Sequence, residues 1–486
     1  MNYTLSHFVA LLPLLTVGAT ALLVTLVIAW RRNHDLTFIL TALGLNLALV
    51  MLIPALRVAP LEVTGLLLVD RFSLLYTGII LVASLACVTL AHAYLGKTNT
   101  GEGFQGNREE MYLLMLLSTA GGLVMTGASH LGSLFIGLEL LSVPLFGMVA
   151  YAFFNKRSLE AGIKYMVLSA AGSAFLLFGM ALVYAESGSL QFSQLGGQGV
   201  TTLLQTGFAL MLIGLAFKLS LVPFHLWTAD VYEGAPAPVS AFLATVAKVA
   251  VFAVLLRLYQ VSPATQDSSW LATLLTLMAI ASILFGNLLA LLQSNLKRLL
   301  GYSSIAHFGY LLIALVAASS LAVESVGIYL ATYVLTSLGA FGVITLMSTP
   351  FKGSDADALY QYRGLFWRRP YLTAVLTVMM LSLAGIPMTA GFIGKFAVLA
   401  AGVDAGLWWL LGALVLGSAI AVYYYLRVTV TLFLVEPGLR RQDAPMNWGQ
   451  QAGGIMLVLT AALVFLLGVY PQPLLQLVQA ALLSAA

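Results

Sequence analysis

The sequence contains very little charge. Only 8% of its 486 residues are charged, while 61% are hydrophobic; soluble domains carry about 25% charged residues. No polar stretch is long enough to form a soluble domain. Apolar segments recur along the whole chain, each about 20 residues long, which is the length that spans a bilayer as a helix. The composition therefore predicts a polytopic membrane protein of the all-α class, with residues 1–486 forming one transmembrane domain.

Cysteine is nearly absent, since Cys87 is the only one. A single thiol excludes an internal disulfide, an iron–sulfur site and a thiolate zinc site on this chain. The sequence contains no phosphate-binding loop and no G-x-G-x-x-G after a strand, and GGQG at 196–199 has no strand before it. We therefore expect no cofactor and no metal on this chain, and no nucleic acid as a partner.

The hydrophobic pattern predicts fourteen membrane spans. They lie near residues 5–30, 36–58, 72–96, 110–128, 131–154, 158–185, 203–230, 236–259, 270–293, 297–318, 323–348, 371–400, 406–434 and 449–474. The ninth and tenth are separated only by QSN and KR. No basic region or cleavage site accompanies the first segment, so we expect it to be a span and not a removed signal.

Lysine and arginine are distributed unevenly between the two sets of loops. Fourteen fall in loops after odd-numbered spans, whereas the other loops and their flanks contain three, Arg57, Arg71 and Arg257. Cytoplasmic loops of membrane proteins are enriched in these residues. The bias predicts that the odd-numbered loops are cytoplasmic and that both termini are periplasmic.

The largest polar segment runs from Pro350 to Pro370 and is cytoplasmic in this topology. It contains Asp355, Asp357 and three arginines. Two interpretations remain open, a solvated connector or a docking surface for another subunit.

Four ionisable residues lie near the middle of predicted spans: Glu139, Lys218, Lys248 and Lys395. None has an oppositely charged neighbour within one turn. A charge at the centre of a membrane helix costs about 2.5–3.5 kcal/mol on insertion scales, so such residues must face one another or water. Ionisable groups in this position are typical of proton relays and ion paths. We therefore predict that these four residues transfer protons.

Other polar residues in the spans could support such a path. The candidates are His225, His307, Tyr302, Lys164 and Tyr424 with its neighbours in the run 423–425. Lys164 has a simpler interpretation, because Glu160 lies one turn before it and can form a stabilising pair. Arg427 can reach the membrane interface by extending its side chain.

Two matching prolines lie inside predicted spans, where a proline breaks a helix. Pro223 lies in SLVPFH of the seventh span, and Pro387 lies in LAGIPMT of the twelfth. The two breaks are five spans apart, and an odd period requires an inverted repeat. Spans 4–8 (110–260) and 9–13 (270–434) would be the two units, flanked by 1–109 and by a last span with a short tail at 449–486. Interrupted helices at matching positions of inverted repeats indicate a transport site.

Three long stretches resemble a known family. PFHLWTADVYEGAPAPVSAFLATVAK, KRLLGYSSIAHFGYLL and LAGIPMTAGFIGKF are similar to the antiporter-like membrane subunits of respiratory complex I, and the similarity covers essentially the whole chain. The resemblance implies fourteen helices with two inverted five-helix bundles. It also implies an interacting pair at Glu139 and Lys218, a bridging residue at Lys248 and a further lysine at Lys395.

The resemblance further implies a proton-translocating subunit in a bacterial inner membrane. NADH oxidation and quinone reduction would use FMN and iron–sulfur clusters on other subunits, and the partners would be membrane lipid and other membrane subunits, including the related antiporter-like ones. Three alternatives remain open: a subunit of a multi-subunit sodium/proton antiporter, a membrane subunit of a hydrogenase-type complex, and a passive scaffold.

Overall fold

The computed structural model describes residues 4–96, 104, 106–196, 201–265, 268–348, 355–434 and 448–482. Its first helices are α1 Leu5–Ala10, α2 Leu12–Trp30, α3 His34–Val50, α4 Leu52–Val58, α5 Arg71–Leu95, α6 Glu110–Thr126, α7 Leu131–Val149, α8 Lys156–Ser187, α9 Thr202–Leu219, α10 Trp227–Gly234, α11 Ala237–Phe242 and α12 Lys248–Val261. They are followed by α13 Ser269–Leu291, α14 Leu296–Ala317, α15 Ser320–Met347, α16 Leu365–Arg368, α17 Pro370–Ala384, α18 Ala390–Asp404, α19 Trp408–Phe433, α20 Trp448–Val469 and α21 Gln472–Leu482. A small antiparallel hairpin joins β1 Leu61–Val63 to β2 Leu67–Val69.

The predicted spans all fall on helices. Within the described residues, twelve helices are long and apolar enough to cross a membrane. Two shorter apolar helices, α6 and α17, occupy the predicted fourth span and the first half of the predicted twelfth. The all-α polytopic class is therefore confirmed. The inverted relation between 110–260 and 270–434 remains a prediction, as does the division of the rest of the chain into 1–109 and 449–486.

The short connection between the ninth and tenth spans contains a helix cap. Helix α13 ends at Leu291, and α14 begins at Leu296 after Asn295, whose side chain accepts a hydrogen bond from the backbone N–H of Arg298. Such a cap satisfies one of the free N–H groups at the start of a helix. The polar QSN sequence is therefore sufficient to separate two long apolar helices.

The cytoplasmic loop predicted at 350–370 is described from Asp355 onwards, and residues 350–354 lie outside the described part. Asp355 accepts hydrogen bonds from Lys297 and from the Tyr94 hydroxyl, each at 2.7 Å. Burial raises the pKa of the Tyr362 phenol well above its usual value, and Asp355 and Asp357 add to this effect. The described part of the loop is thus held against the helix ends. Docking of another subunit on it remains a prediction.

A short helix follows the last span in the described part of the chain. Helix α20 stops at Val469, earlier than the predicted boundary at 474, and α21 follows as a separate helix. Leu474 and Val478 of α21 pack against Ile328 of α15. This short helix therefore covers the starts of α5 and α15.

One buried ion pair ties α12 to α5. Arg257 and Asp70 meet at 2.7 Å, with side chains only 5% and 9% exposed. Asp70 also caps α5 by accepting a hydrogen bond from the Ser73 N–H. Because both charges are removed from solvent, loss of one partner leaves the other buried and unpaired.

We therefore expect Arg257→Leu to lower the free energy of unfolding by about 3–5 kcal/mol, the usual cost of breaking a buried pair from one side. The measurement is thermal inactivation of the purified assembly. Arg57→Leu is the matched control, because Arg57 is exposed. Equal thermal stability of the two variants would contradict a stabilising role for the Arg257–Asp70 pair.

Candidate functional site

The seventh span is broken at the position that Pro223 predicts. Helix α9 ends at Leu219, Ser220 adopts a left-handed backbone with φ of 63°, and α10 starts only at Trp227. Lys218 lies in the last turn of α9. The free carbonyl groups at the end of a helix carry partial negative charge, which favours a cation there. The break therefore provides a place for a buried lysine.

Neighbouring side chains satisfy part of the broken backbone. The N–H of Val222 donates to the Ser282 hydroxyl at 3.0 Å, and the Trp227 indole donates to the Phe217 carbonyl at 3.0 Å. Non-helical backbone at membrane depth requires such protein partners or water.

The twelfth span is interrupted in the same manner around Pro387. Helix α17 ends at Ala384, Gly385 takes a positive φ of 82°, and α18 starts at Ala390. The ammonium group of Lys395 donates to the Ala384 carbonyl at 2.9 Å. Lys218 thus lies in the last turn of the half-helix before its break. Lys395 lies in the half-helix after its break, and its ammonium group reaches back to the carbonyl end of α17.

Serine hydroxyls surround the ammonium of Lys218. It donates to Ser142 of α7 at 2.6 Å and to Ser169 of α8 at 2.5 Å. Glu139 of α7 accepts a hydrogen bond from Ser173 of α8 at 2.5 Å. Ser169 and Ser173 are one helical turn apart and share a face of α8. In the described chain Glu139 and Lys218 form no ion pair; each instead bonds a serine of the same helix face.

Lys248 lies immediately after an irregular turn of the eighth span. Residues Leu243–Ala247 form a π-helical segment between α11 and α12, a feature frequent at functional sites. The side chain is 1% exposed and donates to the Ser304 hydroxyl of α14 at 2.7 Å. Tyr333 of α15 donates to the same hydroxyl at 2.8 Å. Ser304 thus joins a lysine of the first half of the chain to a tyrosine of the second.

His307 lies one turn beyond Ser304 on α14 and is also buried. Its Nδ1 is 2.6 Å from the Tyr329 hydroxyl, and its Nε2 is 3.2 Å from the Tyr425 hydroxyl. Tyr425 in turn contacts Ser303. The ring of Tyr333 lies 5.3 Å from the imidazole, centroid to centroid. These contacts continue the polar run from Lys248 into the second half.

Tyr424 lies on a separate branch that leads to Lys395. Its hydroxyl donates to Asn287 at 3.0 Å, and Asn287 donates to the Tyr310 hydroxyl at 3.0 Å. The ammonium of Lys395 lies 5.5 Å from the centre of the Tyr310 ring. Of the run 423–425, Tyr424 and Tyr425 are fully buried, while Tyr423 is 63% exposed.

Two of the predicted supporting residues lie apart from this run. His225 is buried within the first break, and its Nδ1 has no hydrogen-bond partner in the described chain. Lys164 is 41% exposed and pairs with Glu160 at 2.6 Å and with Asp230 at 2.9 Å. The structure therefore does not bring Lys164 into contact with Lys218.

Asp230 also belongs to an ionic network that the sequence did not reveal. Arg298 of α14 pairs with Asp230 and with Glu233, both on α10 and both at 2.8 Å. Lys297 donates to the backbone carbonyls of Glu233 and Ala235, at 2.8 and 2.6 Å. The second half of the broken seventh span is therefore attached to the start of α14.

The serines of the site had no recognisable signal in the sequence. A serine in an apolar helix commonly bonds the carbonyl group one turn back, and Ser142 does so to Leu138 at 2.6 Å. Nothing in the sequence shows that the same hydroxyl faces a lysine of another helix. Tyr329 and Tyr333 were identifiable in principle, because their spacing of four places two hydroxyls on one face of a span.

One group of side chains has the composition of a metal site. His34, Asp35 and His92 place a ligand atom each within 4.8 Å of one another. His92 Nε2 is 3.0 Å from an Asp35 carboxylate oxygen. Imidazole and carboxylate groups are ligands that zinc prefers. The three residues come from α3 and α5, which are distant in the sequence. The group is remote in sequence from the lysine residues and shares no hydrogen bond with them.

The arrangement consists of groups that can exchange protons. Lysine, histidine, tyrosine and serine each accept and release a proton through their hydrogen bonds. They lie in three groups: Lys218 with Ser142 and Ser169, Lys248 with Ser304 and Tyr333, and Lys395 near the Tyr310 ring. Such buried polar groups inside an apolar bundle are typical of a proton relay.

Comparison with known proteins identifies the family. Residues 128–421 match the model described as NADH:quinone oxidoreductase/Mrp antiporter, transmembrane. The chain is 73% identical over 488 aligned residues to NADH-quinone oxidoreductase subunit N of Ectopseudomonas mendocina (strain ymp). That alignment covers 100% of this chain and 98% of the relative.

A solved complex I structure gives the same assignment, and a second solved structure shows the same fold. A chain of respiratory complex I from Thermus thermophilus, solved with bound aureothin, is 34% identical with a TM-score of 0.81, and 96% of this chain and 98% of that chain are covered. A chain of the Mrp complex from Dietzia sp. DQ12-45-1b has a TM-score of 0.84 at 21% identity, with 99% and 97% covered, and so shares the fold. Residue pattern, fold and sequence identity agree, and the chain belongs to the antiporter-like membrane subunits of NADH-quinone oxidoreductase, in the subunit N family.

Proposed function

We propose that this subunit translocates protons across the bacterial inner membrane, driven by NADH oxidation and quinone reduction on other subunits of its complex. The observation that carries the proposal is the buried contact of Lys248 and Tyr333 with a single hydroxyl, that of Ser304. The FMN and iron–sulfur clusters of the reaction would lie on those other subunits, and both termini of this chain would be periplasmic.

The first step would involve Glu139 and Lys218. A lysine holds its proton more tightly when a carboxylate is near and more weakly when it is far. Ser142 and Ser169 hold the ammonium of Lys218 between α7 and α8, next to the serine that binds Glu139. A change in the lysine–glutamate distance would thus load and release one proton.

The next steps would lead towards the second half. A proton leaving Lys248 would pass to the Ser304 hydroxyl, to which Lys248 donates, and then to the Tyr333 hydroxyl after that group has turned from donor to acceptor. The Tyr333 ring lies 5.3 Å from the imidazole of His307, so the step to His307 would require an intervening water or a closer approach of the two groups. Lys395, near Tyr310, would be the last lysine of the line. Each hydroxyl accepts one proton on its oxygen and gives up its own, so that the chain of groups returns to its starting state after it reorients.

Ser304→Ala tests the proposal, because it removes only the shared hydroxyl. Leaving a buried polar group unpaired costs about 1–3 kcal/mol, or roughly 5- to 150-fold in a rate that depends on it. We expect the rate of NADH-driven proton uptake by inverted membrane vesicles to fall by a factor in that range. Uptake is followed with a pH-sensitive dye.

Ser325→Ala is the matched control for this test. Ser325 is equally buried, but its hydroxyl donates only to the Ala322 carbonyl of its own helix. Both variants must assemble to the level of the unmodified complex. Proton uptake that is unchanged in Ser304→Ala at full assembly would remove Ser304 from the path.

A sodium/proton antiporter subunit is the alternative function, since the Mrp chain from Dietzia shares the fold. The 73% identity with a subunit of NADH-quinone oxidoreductase supports the redox-driven complex instead. An affinity tag on this chain should co-purify NADH dehydrogenase activity, and recovery of a tagged complex without that activity would favour the antiporter.

A further inference from the structure

A deep apolar groove separates the N-terminal helices from the second half of the chain. Its volume is about 780 Å³, and its walls come from α3, α4, α5, α15, α20 and α21. Representative lining residues are Leu52, Gly78, Val82, Leu335, Leu467 and Leu477. The groove belongs neither to the lysine residues nor to the ionic network of α10 and α14.

Arg71 is the one charged residue among those that line the groove. It is the first residue of α5, at the end of the groove that α21 covers, and its guanidinium reaches the Ala480 carbonyl only at 3.4 Å. It forms no salt bridge with any carboxylate of the described chain. The groove thus combines a long apolar interior with one cationic group at its end.

We propose that this groove binds one phospholipid of the bilayer, with its acyl chains among the leucines and its phosphate at Arg71. The volume lies within the range of about 300–1,000 Å³ for sites that enclose a small ligand. Arginine binds phosphate through several N–H groups at once.

A helix of a neighbouring subunit fits the groove less well. The apolar side chains of such a helix would pack against the leucines of the groove, but they would leave the Arg71 guanidinium without the anionic group that a phosphate supplies.

The lipid would pack against α15, on the side of this helix that faces away from its buried tyrosines. Ala331, Val334 and Leu335 of α15 face the groove, whereas Tyr329 and Tyr333 of the same helix contact His307 and Ser304. Positions 329 and 331 lie on opposite sides of a helix, because successive residues turn by about 100°. The bound lipid would therefore support α15 from the side opposite its tyrosines.

Filling the groove with a side chain tests the proposal. A Cβ at Gly78 meets only the Leu52 Cδ1, at 3.5 Å, and Gly78 lines the groove, so the ring of Gly78→Phe would occupy part of the groove. Gly412→Phe is the matched control, since a Cβ at Gly412 meets nothing within 4 Å. The readout is phospholipid per complex, measured by mass spectrometry after an extensive detergent wash. We expect Gly78→Phe to lose one phospholipid relative to the unmodified complex and to Gly412→Phe.

Arg71→Gln provides a second, independent variant on an exposed side chain. It should lower the number of phospholipids retained per complex without loss of assembly. An unchanged lipid count in assembled Gly78→Phe or in assembled Arg71→Gln would overturn the proposal. So would efficient crosslinking of Gly78→Cys to another subunit in the native membrane, which would show that protein occupies the groove.

Discussion

Lys218→Ala is expected to lower NADH-driven proton uptake at least about tenfold, since a positioned proton-transfer group typically contributes 10²–10⁴-fold. The substitution removes the ammonium that two serines hold at the end of α9. Coupled quinone reduction should fall with it if electron flow cannot proceed without proton movement. Both rates are measured on the same membranes, after the assembled complex has been quantified.

Lys218→Arg separates charge from proton release. Arginine keeps the positive charge but does not give up its proton in proteins, so this variant should remain defective although it preserves the cation. Quinone reduction that persists while proton uptake falls would mean that electron flow can slip past this path. Normal rates of both in assembled Lys218→Ala would show that the lysine is a structural charge.

Gly391→Ala is expected to prevent accumulation of the assembled subunit. Gly391 lies in the first turn of α18, and its N–H donates to the Ser382 hydroxyl at 3.0 Å. A methyl group at 391 would overlap the carbonyl oxygen of Ser382 in α17. Backbone cannot move aside as a side chain can, so the cost should exceed the roughly 1–3 kcal/mol of ordinary overpacking.

The measurement for Gly391→Ala is the amount of this chain in the purified complex, by quantitative immunoblot. Gly412→Ala serves as the control, because position 412 faces open space. An assembled Gly391→Ala complex at normal level would contradict the close approach of α17 and α18 beside the second break.

The sequence was sufficient to predict the all-α polytopic class and the two helix breaks, because these signals are local. Long apolar segments, the prolines at 223 and 387 and the polar gap before Leu296 all act on their own stretch of chain, and the structure follows each of them. The central lysine residues were identifiable for a similar reason, since an isolated charge within an apolar span is conspicuous in the sequence.

The polar partners were less accessible because they depend on contacts between helices. Ser304 reaches Lys248 from another helix 56 positions away, and Ser142 reaches Lys218 across 76. The π-helical turn before Lys248 also lacks a proline or glycine that would announce it. Only the tyrosine pair on α15 had a periodic signal.

The ionic attachment of α10 to α14 has a consequence for how motion travels. Arg298 holds the half-helix after the first break through Asp230 and Glu233, so a displacement of that half-helix would pull on α14. Ser304 lies six residues further along α14, about 9 Å at 1.5 Å per residue. A mechanical change at one interrupted helix would therefore arrive at the next hydroxyl as the shift of a rigid rod, with no need for a signal through the side chains between them.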